Sequence, residues 1–353
     1  MSLPPVHAPT RNPTALAVAS ARGRRTRRWR SMVGILLLLI LTVFAISLMV
    51  GQTFYPPADV LGVLLGQDVD GASFTVGRLR LPRAVLAIVA GFSFGLAGVT
   101  FQTMLRNPLA SPDIIGISAG ASAAAAFAIV ILGLSGTAVS LFAIVSGLGV
   151  ALLVYVLSYK GGAAGTRLIL IGIGMAAMLD AAINYILSRA GQWDLQEALR
   201  WLTGSLNGTT WTQVVPALIA MVILGPLLLS RSRNLDALQL GDDTAAALGV
   251  RVERTRLVVI VAAVGLIAFA TAAAGPIAFV AFLSGPIAAR ILGPNGSPML
   301  PAGLIGALLV LVADFCGQYA FGTRFPVGVV TGVLGAPYLI YLIVRTNRAG
   351  GSL

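Results

Sequence analysis

The sequence contains one cysteine, Cys316, and one histidine, His7. A single cysteine allows no disulfide within the chain and no cysteine metal cluster. A single histidine, in a proline-rich N-terminal region, argues against a zinc site and against histidine-based acid–base catalysis. No glycine-rich loop ending in Lys-Ser or Lys-Thr is present, so the chain lacks a phosphate loop for nucleotide hydrolysis. We therefore predict a protein that is not an enzyme and that has no cofactor and no metal.

Charged residues are scarce as well, because Asp, Glu, Lys and Arg make up 10% of the chain, against about 25% in soluble domains. Hydrophobic residues make up 57%, and the mean hydropathy is +0.92. Since a helix needs roughly 20 apolar residues to cross a membrane, the apolar runs predict an all-α polytopic membrane protein with about ten transmembrane helices. The predicted spans are 32–51, 82–104, 113–133, 137–159, 166–188, 211–230, 257–275, 277–293, 300–321 and 327–345.

Positive charge is distributed unevenly between the two sides of this arrangement. The net charge is +12, and residues 1–30 contain seven arginines. Eighteen of the 24 arginine and lysine residues, Lys160 among them, fall on the side of the N-terminus. The positive-inside rule then places both termini in the cytoplasm, which explains the basic charge without nucleic-acid binding. We predict a basic cytoplasmic tail over 1–30, not a cleaved signal peptide, and a membrane domain over 31–348.

A polar segment at 238–256 separates the sixth and seventh predicted spans on the cytoplasmic side. Asp242 and Asp243 precede a run of helix formers, Thr244–Leu248, and Gly249 follows it. Acidic residues at the start and glycine after the end match the preferences of helix termini. The segment therefore predicts a short, capped surface helix, a shape suited to docking a cytoplasmic partner.

Segments 80–190 and 256–345 resemble each other weakly. Each opens on arginines, continues as Ala- and Gly-rich helix, and contains a proline break, at Asn107-Pro108 and Gly275-Pro276. Their first helices enter the membrane from opposite sides, as in the inverted repeats of transporters.

Several short motifs follow one another along the chain. They are Arg80-Leu-Pro-Arg83, Gln102, Arg106-Asn107-Pro108-Leu109-Ala110, Pro112, Gly116, Trp201-Leu-Thr-Gly-Ser-Leu206, Leu238–Arg256, Gly275-Pro276-Ile-Ala-Phe-Val280, Ala313-Asp314 and Phe325–Pro337. In this order and spacing they resemble the FecCD-type permeases, the transmembrane subunits of ABC importers for iron–siderophores, haem and cobalamin. The resemblance covers roughly residues 55–345.

The resemblance implies a type II ABC importer permease of ten helices in the cytoplasmic membrane of a bacterium. Such a subunit dimerises around a central pathway, and its partners are ABC ATPase subunits and an extracytoplasmic substrate-binding protein. In the family, the segment matching 238–256 is the coupling helix that seats in a groove of the ATPase. The residues expected in this contact are Leu240, Gly241, Asp242, Thr244, Ala245, Ala246, Leu248 and Gly249.

Three arginines near the predicted outer face are candidates for docking the binding protein. In the family, arginines at the positions of Arg80 and Arg83 pair with carboxylates of that protein, a task suited to bidentate guanidinium groups. The alternative is that they extend to lipid headgroups at the membrane surface. Another family arginine is replaced here by Gln318, and Arg324 lies near enough in sequence to substitute for it.

Two aspartates lie inside predicted spans, where ionisable groups are costly. Asp180 is one helical turn from Asn184 on the fifth span, which lines the pathway in the family. The alternative for this pair is hydrogen bonding to a neighbouring helix. Asp314, near the outer end of the ninth span, is expected to pair with a charge or cap a helix. Where many family members have Pro-His, this chain has Gly285-Pro286.

The sequence thus predicts the permease subunit of an ATP-driven importer, with ferric siderophore as the expected substrate and haem or cobalamin as alternatives. An ion-gradient-driven secondary transporter is the main rival. Asp180 and Asp314 would be its titrating groups, but it would not need the cytoplasmic helix. The sequence does not decide whether the second permease subunit is identical or a paralogue.

Overall fold

The computed structural model describes residues 13–158, 164–293 and 295–348. Every regular element in these ranges is helical, and none of these residues lies in a strand. A π-helical stretch at Thr75–Arg80 and a 3₁₀ turn at Pro112–Ile115 separate some of the α-helices. The α-helices are α1 (Pro13–Met49), α2 (Pro57–Leu64), α3 (Ala72–Phe74), α4 (Leu81–Met104), α5 (Ile117–Val130), α6 (Thr137–Ser158), α7 (Ala164–Ser188), α8 (Gln192–Leu202), α9 (Trp211–Ser230), α10 (Ser232–Leu238), α11 (Asp242–Ala247), α12 (Val252–Ala274), α13 (Val280–Leu292), α14 (Met299–Tyr319) and α15 (Val327–Arg348).

Seven helices among the described residues are long and apolar enough to cross a membrane, namely those at α1, α4, α6, α7, α9, α12 and α14. Three further apolar helices are shorter: Ile117–Val130, Val280–Leu292 and Val327–Leu342. Each predicted span overlaps one of these helices. The all-helical membrane class is therefore confirmed, whereas the count of ten is not confirmed, because helix length and composition identify seven crossings.

Two of the shorter helices are limited by breaks in the backbone that hydropathy does not register. α5 starts only after Gly116, whose φ of 77° is left-handed, so the predicted span 113–133 loses its first turn. α13 starts after Phe279 at φ 64° and ends at Gly293 at φ 58°. At a rise of about 1.5 Å per residue, the 14 residues of α5 extend about 21 Å, less than a hydrocarbon core of about 30 Å.

The first helix extends far beyond its predicted span. We predicted a tail over 1–30 and a span from residue 32, but α1 runs from Pro13 to Met49 with no break at residue 30. Arginine and alanine, which are good helix formers, are abundant in this part of the helix. Residues 1–12, which include His7, and Lys160 lie outside the described residues.

α4 forms the centre of the bundle. It packs against α9, α12, α13 and α14, and 83% of the residues in its most apolar stretch are buried. Glycines allow this close approach, because a methyl group at Gly91 would overlap the carbonyl oxygen of Gly306 and one at Gly98 would overlap that of Ala281. Packing of this kind, with small residues at the contact, is typical of membrane helices.

The helices at the edge of the bundle are far less buried. In the most apolar stretch of α7 only 11% of the residues are buried, and in that of α1 only 17%. Apolar helices with so little internal contact must face lipid or another subunit. These two helices carry Asp180 and the N-terminal arginines respectively.

Candidate functional site

The predicted cytoplasmic segment 238–256 contains a short helix, as expected. α11 spans Asp242–Ala247, so it starts two residues before the predicted Thr244–Leu248 and ends one residue before it. Gly241 precedes the helix at φ 110° and Gly249 follows it at φ 86°. Because a Cβ disfavours both conformations, glycine at these two positions defines where the helix starts and ends.

The C-terminal end of α11 is closed by backbone hydrogen bonds. The amide of Gly249 donates to the carbonyl of Ala246 at 2.9 Å, and the amide of Val250 donates to the carbonyl of Ala245 at 3.0 Å. These bonds satisfy carbonyls that a helix end otherwise leaves free. A helix of only six residues therefore has a defined end at the protein surface.

Apolar side chains project into solvent on either side of α11. Leu240 before the helix and Leu248 after it are each 64% exposed. Ala245 faces inward and is fully buried, and α10 is held against the bundle by the buried Leu235 and Leu238. The segment is thus anchored on one side and presents two leucines on the other, an arrangement that fits an apolar groove on a partner.

Asp242, the first residue of α11, is held between two arginines. It forms salt bridges of 2.7 Å with Arg106 and 2.9 Å with Arg256. Arg106 also donates from Nε to the carbonyl of Leu238 at 2.9 Å. Because Arg106 follows α4 and Arg256 lies in α12, these charge-assisted hydrogen bonds connect α11 to two helices of the bundle.

Arg106 and Arg256 both lie in the motifs named above, but their contact with Asp242 was not predicted from the sequence. Arg106 and Asp242 are 136 positions apart in the chain, so no local pattern relates them. The one local signal is the Arg-Asn-Pro break, where Arg106 has a left-handed φ of 53°. A non-glycine residue in that region is uncommon, and here its side chain contacts the candidate coupling segment.

At the other end of the bundle, the three predicted docking arginines line one cleft of about 750 Å³. Arg80, Arg83 and Arg324 share this cleft with Arg200 and Gln318. Arg324 therefore lies close to the position where the family arginine is replaced. The cleft collects positive charge, which suits an anionic partner surface.

Arg83 is occupied by an internal ion pair. Its Nε and one terminal nitrogen each donate to an oxygen of Asp314 at 2.7 Å, and the other terminal nitrogen donates to Asn207 Oδ1 at 2.6 Å. The two charged side chains are 20% and 9% exposed. Asp314 thus has the pairing role expected for it, and Arg83 positions the wall of the cleft.

Among the residues that the structure describes, Arg80 has only neutral partners. Its guanidinium donates to the carbonyls of Leu48, Met49 and Thr53 at 2.7–3.0 Å. Carbonyl oxygens satisfy its donors but do not cancel its charge. Arg324 is exposed and takes part in none of the salt bridges formed by the described residues. Arg80 and Arg324, together with Arg200, which donates to the carbonyl of Asn207, therefore supply the uncompensated charge of the cleft.

Asp180 and Asn184 lie together on α7, as predicted, and both are exposed. They belong to a helix that is apolar enough to cross a membrane and is mostly unburied. A carboxylate facing lipid tails is costly, so this face of α7 requires water or a partner. Among the described residues, neither Asp180 nor Asn184 forms a hydrogen bond or an ion pair with the cleft or with α11.

Comparison with known proteins places these features in a family. A family model described as the FecCD transport family matches residues 37–345. This chain belongs to the FecCD transport family. The ferric enterobactin transport system permease protein FepG of Escherichia coli (strain K12) is 41% identical over 302 residues, which is 84% of this permease and 91% of the relative.

Other comparisons agree with this assignment. The achromobactin transport system permease protein CbrC of Dickeya dadantii (strain 3937) is 38% identical over 320 residues, covering 90% of this permease and 92% of the relative. A solved metal-chelate type ABC transporter in an inward-facing conformation has a TM-score of 0.80 and 27% identity, and covers 90% of this permease and 99% of that chain. The family inferred from the motifs is confirmed, and the chain is a multi-pass permease of the bacterial inner membrane.

Proposed function

We propose that this permease is the transmembrane subunit of an ATP-driven importer for ferric siderophores. Two relatives are named for ferric enterobactin and achromobactin transport, and the solved relative is a metal-chelate type ABC transporter. The observation in the structure that carries the proposal is α11, a capped helix with exposed flanking leucines and a charged connection to the bundle. A transporter driven only by an ion gradient has no use for such a docking element.

The residues from Leu240 to Gly249 form the contact with a separate ABC ATPase subunit. Closure of two ATPase subunits would displace α11, and the salt bridges of Asp242 would carry that displacement to α4 through Arg106 and to α12 through Arg256. Both of these helices are largely buried in the bundle. A close-packed core transmits displacement, so movement at the surface reaches the transport pathway.

The outer cleft receives carboxylates of an extracytoplasmic substrate-binding protein. Arg80 and Arg324 make this contact, because their charge is not compensated by any described ion pair. Arg83 supports the cleft through Asp314. Guanidinium groups bind carboxylates with defined geometry and accelerate encounter with an acidic surface.

In the membrane, the subunit has ten spans arranged as inverted repeats, with both termini in the cytoplasm. In this arrangement the three shorter apolar helices cross the membrane together with the seven long ones. The permease pairs with a second permease subunit, identical or paralogous, and α7 faces the pathway between them. This arrangement gives Asp180 and Asn184, which are exposed on α7, an aqueous surrounding and avoids the cost of a carboxylate in lipid.

Reconstitution tests the proposal directly. The permease is incorporated into vesicles with its ATPase and binding protein, and uptake and ATP turnover are measured with ferric siderophore, haem and cobalamin in turn. We expect uptake of ferric siderophore that requires ATP and persists when ion gradients are collapsed. Uptake driven by an imposed proton or sodium gradient without ATP would show that the permease is a secondary transporter.

A proline in α11 tests the coupling role. Ala246→Pro removes a backbone N–H inside the helix and distorts it, so we expect transport to stop while the ATPase subunits still hydrolyse ATP. Ala246→Ser keeps the N–H and serves as the matched control. Helical content and elution of the purified permease should be unchanged in both variants, and normal transport by Ala246→Pro would contradict the assignment of α11.

A further inference from the structure

The N-terminal part of α1 carries six arginines, called here the arginine cluster: Arg22, Arg24, Arg25, Arg27, Arg28 and Arg30. All six side chains are exposed. None of them takes part in the salt bridges found among the described residues, which join Asp242 and Asp314 to other arginines. The cluster therefore presents six uncompensated positive charges on one helix.

The cluster extends along the helix by about twice the depth of a lipid headgroup layer, and arginine side chains can cover the difference. With a rise of about 1.5 Å per residue, the distance along the axis from Arg30 to Arg22 is about 12 Å. The polar layer on each side of a bilayer is roughly 5–7 Å thick, and arginine side chains extend several ångströms toward it. All six guanidinium groups can therefore reach phosphates while α1 remains straight.

The six arginines also point in all directions around the helix. Successive residues are turned by about 100°, so these positions leave no side of α1 uncharged and define no single basic face. The membrane part of the same helix is largely free of contacts, with 17% of its most apolar stretch buried. A membrane helix with few contacts inside the protein is thus preceded by charge on all sides, which matches a ring of headgroups better than one protein surface.

Trp29 fixes the depth at which the cluster begins. Its Nε1–H donates to the carbonyl of Ser297 at 3.1 Å, and its ring lies against Gly296 in the connection between α13 and α14. Tryptophan with its polar atom bonded and its ring partly buried is typical of the membrane interface. Since Arg28 and Arg30 flank Trp29, the cluster starts at the level of the headgroups and continues outward.

From these observations we infer that the arginine cluster binds the phosphate groups of anionic phospholipids in the leaflet at the N-terminal end of α1. Guanidinium groups pair bidentately with phosphate, and polybasic segments next to a span attract anionic lipid. This site is independent of the transport function proposed above. Anionic phospholipid is then the ligand of the N-terminal extension of α1.

The test uses the purified full-length permease in mixed micelles containing either phosphatidylcholine alone or phosphatidylcholine with phosphatidylglycerol. Lipid retention is measured by native mass spectrometry, and thermal unfolding is measured in parallel. We expect phosphatidylglycerol to be retained roughly tenfold more strongly than phosphatidylcholine, because each arginine near an anionic surface contributes. The preference should fall sharply between 0.1 M and 1 M salt, where the Debye length falls from about 10 Å to about 3 Å.

A variant and its control locate the site. Combining Arg22→Gln, Arg24→Gln, Arg25→Gln and Arg27→Gln should remove most of the preference, whereas lysine at the same four positions should keep most of it. Arg28 and Arg30 stay in place, so that positive charge beside the span still sets its orientation. The salt series uses the unaltered protein and decides the question even if the glutamine variant does not fold.

Three results would overturn the inference. The first is equal retention of phosphatidylglycerol by the unaltered and glutamine forms. The second is equal stabilisation by inorganic phosphate at the same concentration, which would indicate a site for free anions. The third is a pair of results: the unaltered protein shows no lipid preference, and the glutamine variant no longer co-purifies with the ATPase. That pair would assign the cluster to a protein partner.

Discussion

The substitution Gln102→Met tests how α13 accommodates Pro286 in its interior. Proline has no backbone N–H, so the carbonyl of Phe282, four residues earlier, lacks its usual helix partner. Gln102 of α4 donates from Nε2 to that oxygen at 3.0 Å and is 7% exposed. Gly285 provides the space for the Gln102 side chain, because a methyl group at Gly285 would overlap Gln102 Oε1. The Gly285-Pro286 departure from the family pattern is thus accommodated by a donor from the neighbouring helix.

The expected magnitude follows from the hydrogen bond that is lost. Methionine keeps the length of the side chain but removes the donor. A buried carbonyl left without a partner costs about 1–3 kcal/mol, while hydrogen bonds between membrane helices average about 0.6 kcal/mol and reach about 1.7 kcal/mol. We therefore expect Gln102→Met to lower the free energy of unfolding by about 1 kcal/mol.

A second substitution distinguishes this explanation from a general packing effect. Pro286→Ala restores a backbone N–H that can bond to the carbonyl of Phe282, so Gln102 is no longer needed as a donor. In the Pro286→Ala background, Gln102→Met should therefore leave the free energy of unfolding almost unchanged. The coupling energy of about 1 kcal/mol exceeds the roughly 0.3–0.5 kcal/mol by which distant, independent substitutions depart from additivity.

The assay is equilibrium unfolding in mixed micelles, followed by tryptophan fluorescence, for the four proteins of the cycle. Gln213→Met is the matched control, because Gln213 accepts a hydrogen bond from the amide of Thr210 at the start of α9 and does not contact α13. Its cost should be the same with and without Pro286→Ala. If Gln102→Met also costs the same in both backgrounds, the proposed replacement of the proline N–H is wrong.

Three other substitutions test the ion pairs and the pathway. Arg83→Gln leaves the 9% exposed Asp314 without its charge partner and should lower the free energy of unfolding by about 3 kcal/mol; adding Asp314→Asn should restore much of it in the same unfolding assay. Asp242→Asn weakens the bridges to Arg106 and Arg256 and should reduce ATP-driven uptake several-fold, whereas Asp243→Asn, which alters no described ion pair, should not. Asp180→Ala should reduce uptake by reconstituted vesicles, and unchanged uptake would remove Asp180 from the pathway.

Local patterns in the sequence were sufficient to place the helices. Runs of apolar residues located one helix in each predicted span, because burial in lipid or in the bundle favours long uninterrupted hydrophobic helices. Gly249 located the end of α11, because its left-handed conformation is one that glycine adopts readily. The helix formers Thr244–Leu248 predict a start two residues late, because Asp242 and Asp243 do not precede α11 but form its first turn.

Contacts between distant parts of the chain could not be predicted in this way. The Arg83–Asp314 pair joins positions 231 apart, and the Gln102–Phe282 hydrogen bond joins positions 180 apart. Both depend on how α4 lies against α13 and α14, which the periodicity of one helix does not specify. For the same reason, Arg83 was expected to face a partner protein although its nearest carboxylate is within the chain.

The Arg83–Asp314, Gln102–Phe282 and Arg106–Asp242 contacts all involve α4 or the residues directly after it. This bears on how the two ends of the helix bundle are connected. Arg80 and Arg83 lie at the N-terminal end of α4, where they line the basic cleft, and Arg106 follows its C-terminal end and contacts α11 through Asp242. The 24 residues of α4 form one uninterrupted helix, about 36 Å long at about 1.5 Å per residue. Because α4 is mostly buried and glycine contacts hold it against α14, it can move only together with the helices around it. The proposed displacement of α11 would therefore reach the basic cleft through α4, whereas α7 and α1, with few internal contacts, would respond to lipid or to a second subunit.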